Sequence, residues 1–336
     1  MLKKISAIVS GLALTATAFA APVLINGAGA TFPYPIYSKW FDVYSTVNPD
    51  ARFNYQSIGS GGGIKQITAK TVDFGATDGP MTDQQLTDAP GRIFHIPTVM
   101  GAVVLAYNLP GVSKGLKLTP AVVADIYLGK VTQWNDPRIT SANAGIEVPD
   151  MPIIVARRSD GSGTTYIFVD YLCSISNEWK LGVGKGTSVN WPVGIGGKGN
   201  EGVAGLVKQT PGSIGYVELS YAVKNDLAYA SVQNSSGNFI EPSLESTSKA
   251  AAGVSIPSDF RVSLVNGANA DAYPIAGFTW LLIYKNPEDK AKGKTIVDFI
   301  RWAIHDGQQY ASDLLYAPLP AEVVGMIEKK LEDVKV

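Results

Sequence analysis

The chain holds one cysteine in 336 residues, Cys173. A single thiol cannot close an intramolecular disulfide, so a disulfide-stapled scaffold is excluded. Its neighbours in YIFVDYLCSI are apolar, which suits a small hydrophobe better than a reactive thiol. The chain holds two histidines, His95 and His305, far apart in sequence. There is no HExxH, no cysteine cluster and no acidic metal loop, so a metal site has no support. Lysine plus arginine nearly balance aspartate plus glutamate, for a formal net charge of −1. Nucleic-acid binding would need a basic patch or stripe, and none is visible. The Walker A pattern fails because Lys198 is followed by Gly199. Neither Ser60 nor Ser162 stands in a G-x-S-x-G nucleophile elbow. Beyond the first 20 residues no apolar run is long enough to cross a bilayer.

The first residues are of a different kind. MLKK is a short basic start, ISAIVSGLALTATA is an apolar run, and Ala18-Phe19-Ala20 is a small-residue cleavage pattern. Together they predict a secretory signal peptide over residues 1–20, with Ala21 as the mature start. No cysteine stands at the cleavage point to carry a lipid. A soluble exported protein is expected, and the periplasm of a two-membrane bacterium suits it.

What the remainder has is a repeated plan: a β-type run, a Gly/Ser/Thr loop, then a helical run. PVLIN leads through GAGATF into PYPIYSKWFDVYS. ARFNYQSI leads through GSGGG into IKQITAK. PIIVARR leads through SDGSGTT into YIFVDYL. Strands alternating with helices predict an α/β fold with largely parallel sheets. Ile296, Phe299, Ile300, Ala303 and Ile304 recur at steps of three and four, the apolar face of one helix. Residues 234–248, NSSGNFIEPSLESTS, are the most polar stretch and are expected to be surface loop. Two runs, VVLAYNLP at 103–110 and FTWLLIYKN at 278–286, are long enough to link domains. They predict a discontinuous first lobe, 21–102 plus 275–336, and a second lobe, 103–274.

The three loops carry the chemistry. A helix start leaves four backbone N–H groups unpaired and bears partial positive charge. Glycines allow a ligand to approach the backbone. One such loop is an ordinary helix cap. Three on one side of parallel strands suggest an anion site, since ligands of open α/β sheets bind beyond the carboxyl ends of the strands. The third loop, RRSDGSGTT, adds Arg158, whose fork of donors fits a tetrahedral oxyanion, and Asp160, which can brace it. The second loop is followed by VDFGATDG, ending at Asp78. A carboxylate repels a fully ionised anion but accepts a hydrogen bond from one that keeps a proton. Phosphate keeps at least one at neutral pH and sulfate keeps none, so Asp78 would select phosphate. An Asp-Gly turn before Pro80 accounts for the same residues without a ligand. Gly194, Gly196 and Gly199 match G-x-G-x-x-G, a weak signal behind a poor strand.

Taken in order, GAGATFPYPIYSKW, YQSIGSGGGIKQI, TVDFGATDGP, ADIYLGKVTQWNDP, RRSDGSGTT, WPVGIGGKGNEGVAG, GSIGYVE and YAPLP resemble the periplasmic phosphate-binding proteins of bacterial ABC phosphate importers. The resemblance runs through essentially the whole mature chain. It implies a two-lobed periplasmic-binding-protein fold with phosphate in the cleft, no cofactor and no enzymatic activity. It implies delivery to a membrane ABC permease by a monomer. Matched position by position, it implies phosphate contacts from Thr31 and Phe32, Ser60, Asp78, Arg158, Ser162, Gly163 and Thr164, with Asp160 as the partner of Arg158. Gly61 departs from the family's Ser-Ser-Gly-Gly, and Thr77 stands where relatives carry serine. The competing readings are another oxyanion, a phosphatase using Ser60 or Ser162, and an adhesive surface protein. Asp78 argues against the first, and the missing base or metal cluster against the second.

Overall fold

The structure is a computed structural model in which residues 22–336 are described. The expected signal segment, 1–20, lies outside the described residues. Twelve strands are formed: β1 (Val23–Gly29), β2 (Ala51–Ser57), β3 (Phe74–Thr77), β4 (Ile93–Asn108), β5 (Lys117–Leu118), β6 (Ile154–Arg158), β7 (Ile195–Gly197), β8 (Ser213–Glu218), β9 (Ala228–Tyr229), β10 (Ser231–Gln233), β11 (Phe239–Ile240) and β12 (Ala276–Tyr284). The main sheet runs β2-β1-β3-β12-β4-β8-β6-β7, with β9 also on β4. A small sheet, β11-β10-β5, stands apart.

The α/β reading holds, with one qualification on strand direction. β1 pairs in parallel with β2 and β3, and β6 with β7 and β8. The centre is antiparallel: β12 on β3, and β4 on β12 and β8. β4 carries the chain outward and β12 brings it back, so the two must run in opposite directions. All of β4 except Asn108 is buried, which suits its largely apolar sequence, broken by His95 and Thr98.

β4 spends its first part against β12 and its second against β8. The change of partner falls between Ala102, paired with Ala276, and Val103, paired with Glu218. There the Val103 N–H donates to the Ile275 carbonyl at 2.8 Å. A few residues earlier, Pro97 cannot donate to the ladder, and the register slips between Thr279 and Trp280. Such a bulge re-aims side chains. Here it lies beside Thr279, whose hydroxyl reaches Asp78.

The apolar face expected at 296–304 lies on the helix Lys290–Ile304, where Ile296, Phe299, Ile300, Ala303 and Ile304 are buried. The polar stretch 234–248 is not simply surface loop. It contains β11 and the start of a helix, Leu244–Ala250, with Asn234, Ser246 and Thr247 buried. Asn234 donates to the Ala270 and Ala272 carbonyls, and Ser246 Oγ to the Glu241 carbonyl. Polar residues satisfied by backbone can be buried, and composition does not reveal it. Cys173 is half-buried at the rim of the core, and burial pushes its thiol above the ordinary range.

Candidate functional site

The three loops converge as the topology requires, because each follows a strand of the main sheet. Thr31 and Phe32 follow β1 and precede the helix Tyr34–Val47. Ser60 opens the helix Ser60–Thr68 after β2. Ser162 caps the helix Gly163–Ile175 after β6. A fourth helix, Gly199–Gln209, points its start into the same place after β7. Asp78 follows β3, and Arg158 ends β6. Thr31, Phe32, Ser60, Asp78, Arg158, Ser162 and Thr164 are each no more than 3% exposed. So many buried polar groups require partners.

Four hydroxyls share one arrangement. Thr31 Oγ1 accepts from Asn200 Nδ2 at 2.8 Å and from Asn200 N at 3.2 Å. Thr164 Oγ1 accepts from Asn200 Nδ2 at 3.0 Å. Ser162 Oγ accepts from the Thr165 N–H at 2.9 Å. Ser60 Oγ accepts from the Asp78 N–H at 3.1 Å and donates only weakly to Asp78 Oδ2, at 3.4 Å. In each case the scaffold supplies the donor to the hydroxyl oxygen. The hydrogens of Thr31, Ser162 and Thr164 are left for something else, while that of Ser60 makes only the long contact to Asp78.

Arg158 is gripped by Asp160, with Nε to Oδ1 at 2.8 Å and Nη2 to Oδ2 at 2.6 Å. Arg158 is buried and Asp160 partly so, and the Gly199 N–H adds a third bond to Asp160 at 3.1 Å. Burial pushes the Asp160 carboxyl up, but Arg158 and Gly199 outweigh it and hold it below its ordinary value. Arg158 Nη1 has only a long contact, 3.4 Å to Thr164 Oγ1, so its donors on that side are little used. A buried ion pair is weak evidence for stability but good evidence for fixed geometry. The fork is thereby aimed. Arg158 N also donates to the Tyr216 hydroxyl at 3.0 Å.

Asp78 is the opposite kind of group, the acceptor among these donors. Burial pushes its carboxyl up to about 7. Its bonds to Thr279 and Ser60 and the nearby charge of Arg158 pull the other way without cancelling it. Thr279 Oγ1 donates to Oδ1 at 2.8 Å, leaving Oδ2 turned toward Ser60 and Gly163.

Two glycines make the closeness possible. A Cβ on Gly163 would lie 2.4 Å from Ser60 Oγ and 2.5 Å from Asp78 Oδ2. A Cβ on Gly59 would lie 2.4 Å from Asp160 Oδ2, and its φ of 88° already disfavours other residues. The Gly61 N–H donates to the Gly161 carbonyl at 2.9 Å, joining the second and third loops directly.

A model of the PBP superfamily domain matches residues 16–306. The phosphate-binding protein PstS of Xylella fastidiosa (strain 9a5c) is 47% identical over 309 residues, 91% of this chain and 84% of that protein. The protein of the same name from Pasteurella multocida (strain Pm70) is 48% identical over 307 residues, 90% of this chain and 88% of that one. The chain belongs to the PstS phosphate-binding protein family. Solved structures agree on the fold. A phosphate-binding protein from Stenotrophomonas maltophilia superposes with a TM-score of 0.69 at 18% identity, covering 92% of this chain and 93% of its own. An ABC-type phosphate transport receptor from Vibrio cholerae gives 0.58 at 17% identity, covering 88% and 100%.

The structure brings every site residue singled out in the sequence into one cluster, buried except for the half-buried Asp160. Several that complete it were not expected. Asn200 ties Thr31 to Thr164, and its Oδ1 accepts from the Glu218 N–H at 2.9 Å. The Tyr221 hydroxyl donates to the Thr31 carbonyl at 2.6 Å, and the Tyr316 hydroxyl to the Phe32 carbonyl at 2.6 Å. Asn200 directly follows the G-x-G-x-x-G run, and a polar residue there could have marked it. No local signal marks the tyrosines. Among the described residues no group of carboxylates, histidines and cysteines could hold a metal, and no helix is long and apolar enough to cross a membrane.

Proposed function

We propose that this chain is an exported receptor that binds inorganic phosphate and hands it to a membrane ABC permease, without catalysing a reaction. The observation that carries the reading is the set of four hydroxyls. Thr31, Ser60, Ser162 and Thr164 each accept from the scaffold; three keep a hydrogen to give, and Ser60 spends its own only on a long contact to Asp78. The backbone N–H groups of Phe32, Gly163 and Thr164 and the fork of Arg158 complete a donor shell around an anion. Helix starts add partial positive charge. Asp78 alone accepts, and takes the proton that phosphate retains. Sulfate brings no proton there and leaves two negative oxygens opposed in a buried site.

The names of the relatives support phosphate as the ligand. The change of partner along β4 supports a division into lobes at 102/103 and 274/275, with residues 1–20 a removed export signal and the periplasm as the place of action. Ligand enclosure is then hinge closure about β4 and β12. The receptor is monomeric, and nucleic acid has no part in it. Micromolar affinity needs about 8 kcal/mol. Hydrogen bonds to a charged ligand contribute roughly 1.5–3 kcal/mol each, so a handful suffices after desolvation.

Calorimetric titration with phosphate, with sulfate as competitor, tests the reading. Wild type binds phosphate and ignores sulfate, and in Asp78→Asn the gap between the two anions narrows. Sulfate competing on equal terms in the wild type would remove Asp78 as the selector. Absence of phosphate binding would remove the function.

A further inference from the structure

Glu218, at the end of β8, is fully buried. Its Oε1 has no hydrogen-bond partner among the described residues. Its Oε2 accepts from the Ser220 N–H at 2.9 Å, and it also touches Ser220 Oγ and, at 3.2 Å, the Tyr316 hydroxyl. Tyr316 has one hydrogen, and the Phe32 carbonyl at 2.6 Å takes it, because a carbonyl can only accept. The phenol oxygen can therefore only accept from its other neighbours, Ser220 Oγ at 3.3 Å and Glu218. A protonated Glu218 gives these groups one consistent direction and leaves Oε1 a neutral carbonyl oxygen in place of a charged one. Its O–H donates to Ser220 Oγ, the Ser220 O–H donates to the Tyr316 oxygen, and the Tyr316 O–H donates to the Phe32 carbonyl. An ionised Glu218 would instead take the Ser220 hydrogen on Oε2 and leave the Tyr316 oxygen without a donor from Ser220. It would also leave a buried carboxylate oxygen unpaired, with no lysine or arginine bonded to it.

We propose that Glu218 is uncharged in the folded protein and is a positioning residue for phosphate, fixing the Phe32 loop through Ser220 and Tyr316. The inference rests on the reading that the Phe32 N–H meets phosphate. The backbone of Glu218 acts in the same direction, since its N–H holds Asn200, which holds Thr31 and Thr164. Its side chain lies close to the change of strand partner, where a Cβ on Gly101 would meet both the Phe32 ring and Glu218 Oε1. Burial pushes the carboxyl up to about 8; its contacts with Ser220 and Tyr316 oppose this, and the charge of Asp78 adds to it. The titratable groups facing it are Tyr316, Tyr221 and Asp78, while Glu201 and Arg158 act on Tyr221.

A bound anion raises the pKa of a nearby carboxyl further. Affinity is then full below the ligand-free value and is lost as pH rises toward the bound value. The test is calorimetry with phosphate on wild type and Glu218→Gln from about pH 6 to about pH 10. Taking the ratio of the two affinities removes the titrations of phosphate and Asp78. The ratio of wild type to variant is expected to fall as pH climbs through about 8. Its slope should be at most about tenfold per pH unit. A flat ratio overturns the proposal, since a merely structural role would shift affinity equally at every pH. Infrared difference spectra of wild type minus Glu218→Gln at neutral pH give a second, binding-independent readout. A protonated carboxyl band supports the proposal, and a carboxylate band in its place overturns it. Should no form bind phosphate, the reading of the site fails, and the infrared band still decides the state of Glu218.

Discussion

Thr279 Oγ1 donates to Asp78 Oδ1 across 2.8 Å, between residues 201 positions apart in the chain. The bond fixes which carboxylate oxygen faces the site. Thr279 stands beside the bulge opposite Pro97, so its aim comes from an irregularity in β12 and β4. Thr279→Val keeps the shape and removes the donor. Phosphate affinity should fall about tenfold, the size of one hydrogen bond to a charged group. Titration calorimetry measures it, and an unchanged affinity would mean that Asp78 orients itself.

Asp78 also sets a stability trend in the phosphate-free protein. Its folded value, about 7, lies above its ordinary 3.8. A raised value stabilises the fold fully below 3.8 and ceases to do so as pH rises through about 7. His95, whose ring burial pushes down to about 3, works in the opposite direction over acid pH. Comparison with Asp78→Asn cancels that shared term. The Tm of wild type relative to the variant is expected to drop between about pH 4 and about pH 7. A constant difference across that window would show that Asp78 is not perturbed.

Arg158→Ala removes the fork and leaves the half-buried Asp160 with the Gly199 N–H as its remaining partner among those described. Loss of phosphate affinity should reach about a hundredfold or more, since the ligand loses a charged donor and an unpaired carboxylate is left beside it. Arg158→Lys should recover little, because an ammonium cannot engage Asp160 through two parallel bonds and still donate to a ligand. Calorimetry on both variants checks this, and full recovery by lysine would reduce Arg158 to a point charge.

Gly163→Ala tests closeness. The added methyl would fall 2.4 Å from Ser60 Oγ and 2.5 Å from Asp78 Oδ2. The loops must then separate, and binding should weaken at least about tenfold while the fold survives. Small-angle scattering should show a more open particle at saturating phosphate, and a wild-type profile with wild-type affinity would contradict the packing.

How far the sequence reveals this protein depends on the range of each contact. Gly/Ser/Thr loops between apolar runs are local patterns, so the placing of Ser60 and Ser162 at helix starts was legible. Arg158 and Asp160 are two residues apart, and their pairing was legible too. Asn200, Tyr221 and Tyr316 were not, because they reach Thr31 and Phe32 across 169, 190 and 284 residues. The stretch 234–248 misled for another reason. Its polar side chains are bonded to backbone carbonyls more than 30 residues away, at Ala270 and Ala272, which composition cannot show. The antiparallel strands at the centre of a mostly parallel architecture were not legible either, since direction follows from the chain's path and not from the residues in a strand.

β4 has a consequence for how the molecule can be taken apart. It is one strand of 16 residues. At about 3.3 Å per residue it runs roughly 50 Å, contributing a central strand to each half of the sheet. Cutting the gene at 102/103 would therefore leave 1–102 without β12, the partner of the first part of β4, and 103–336 with β12 unpaired on that side, each with a raw strand edge. Neither half is expected to be soluble by itself, while the two made together should reassemble on that shared edge.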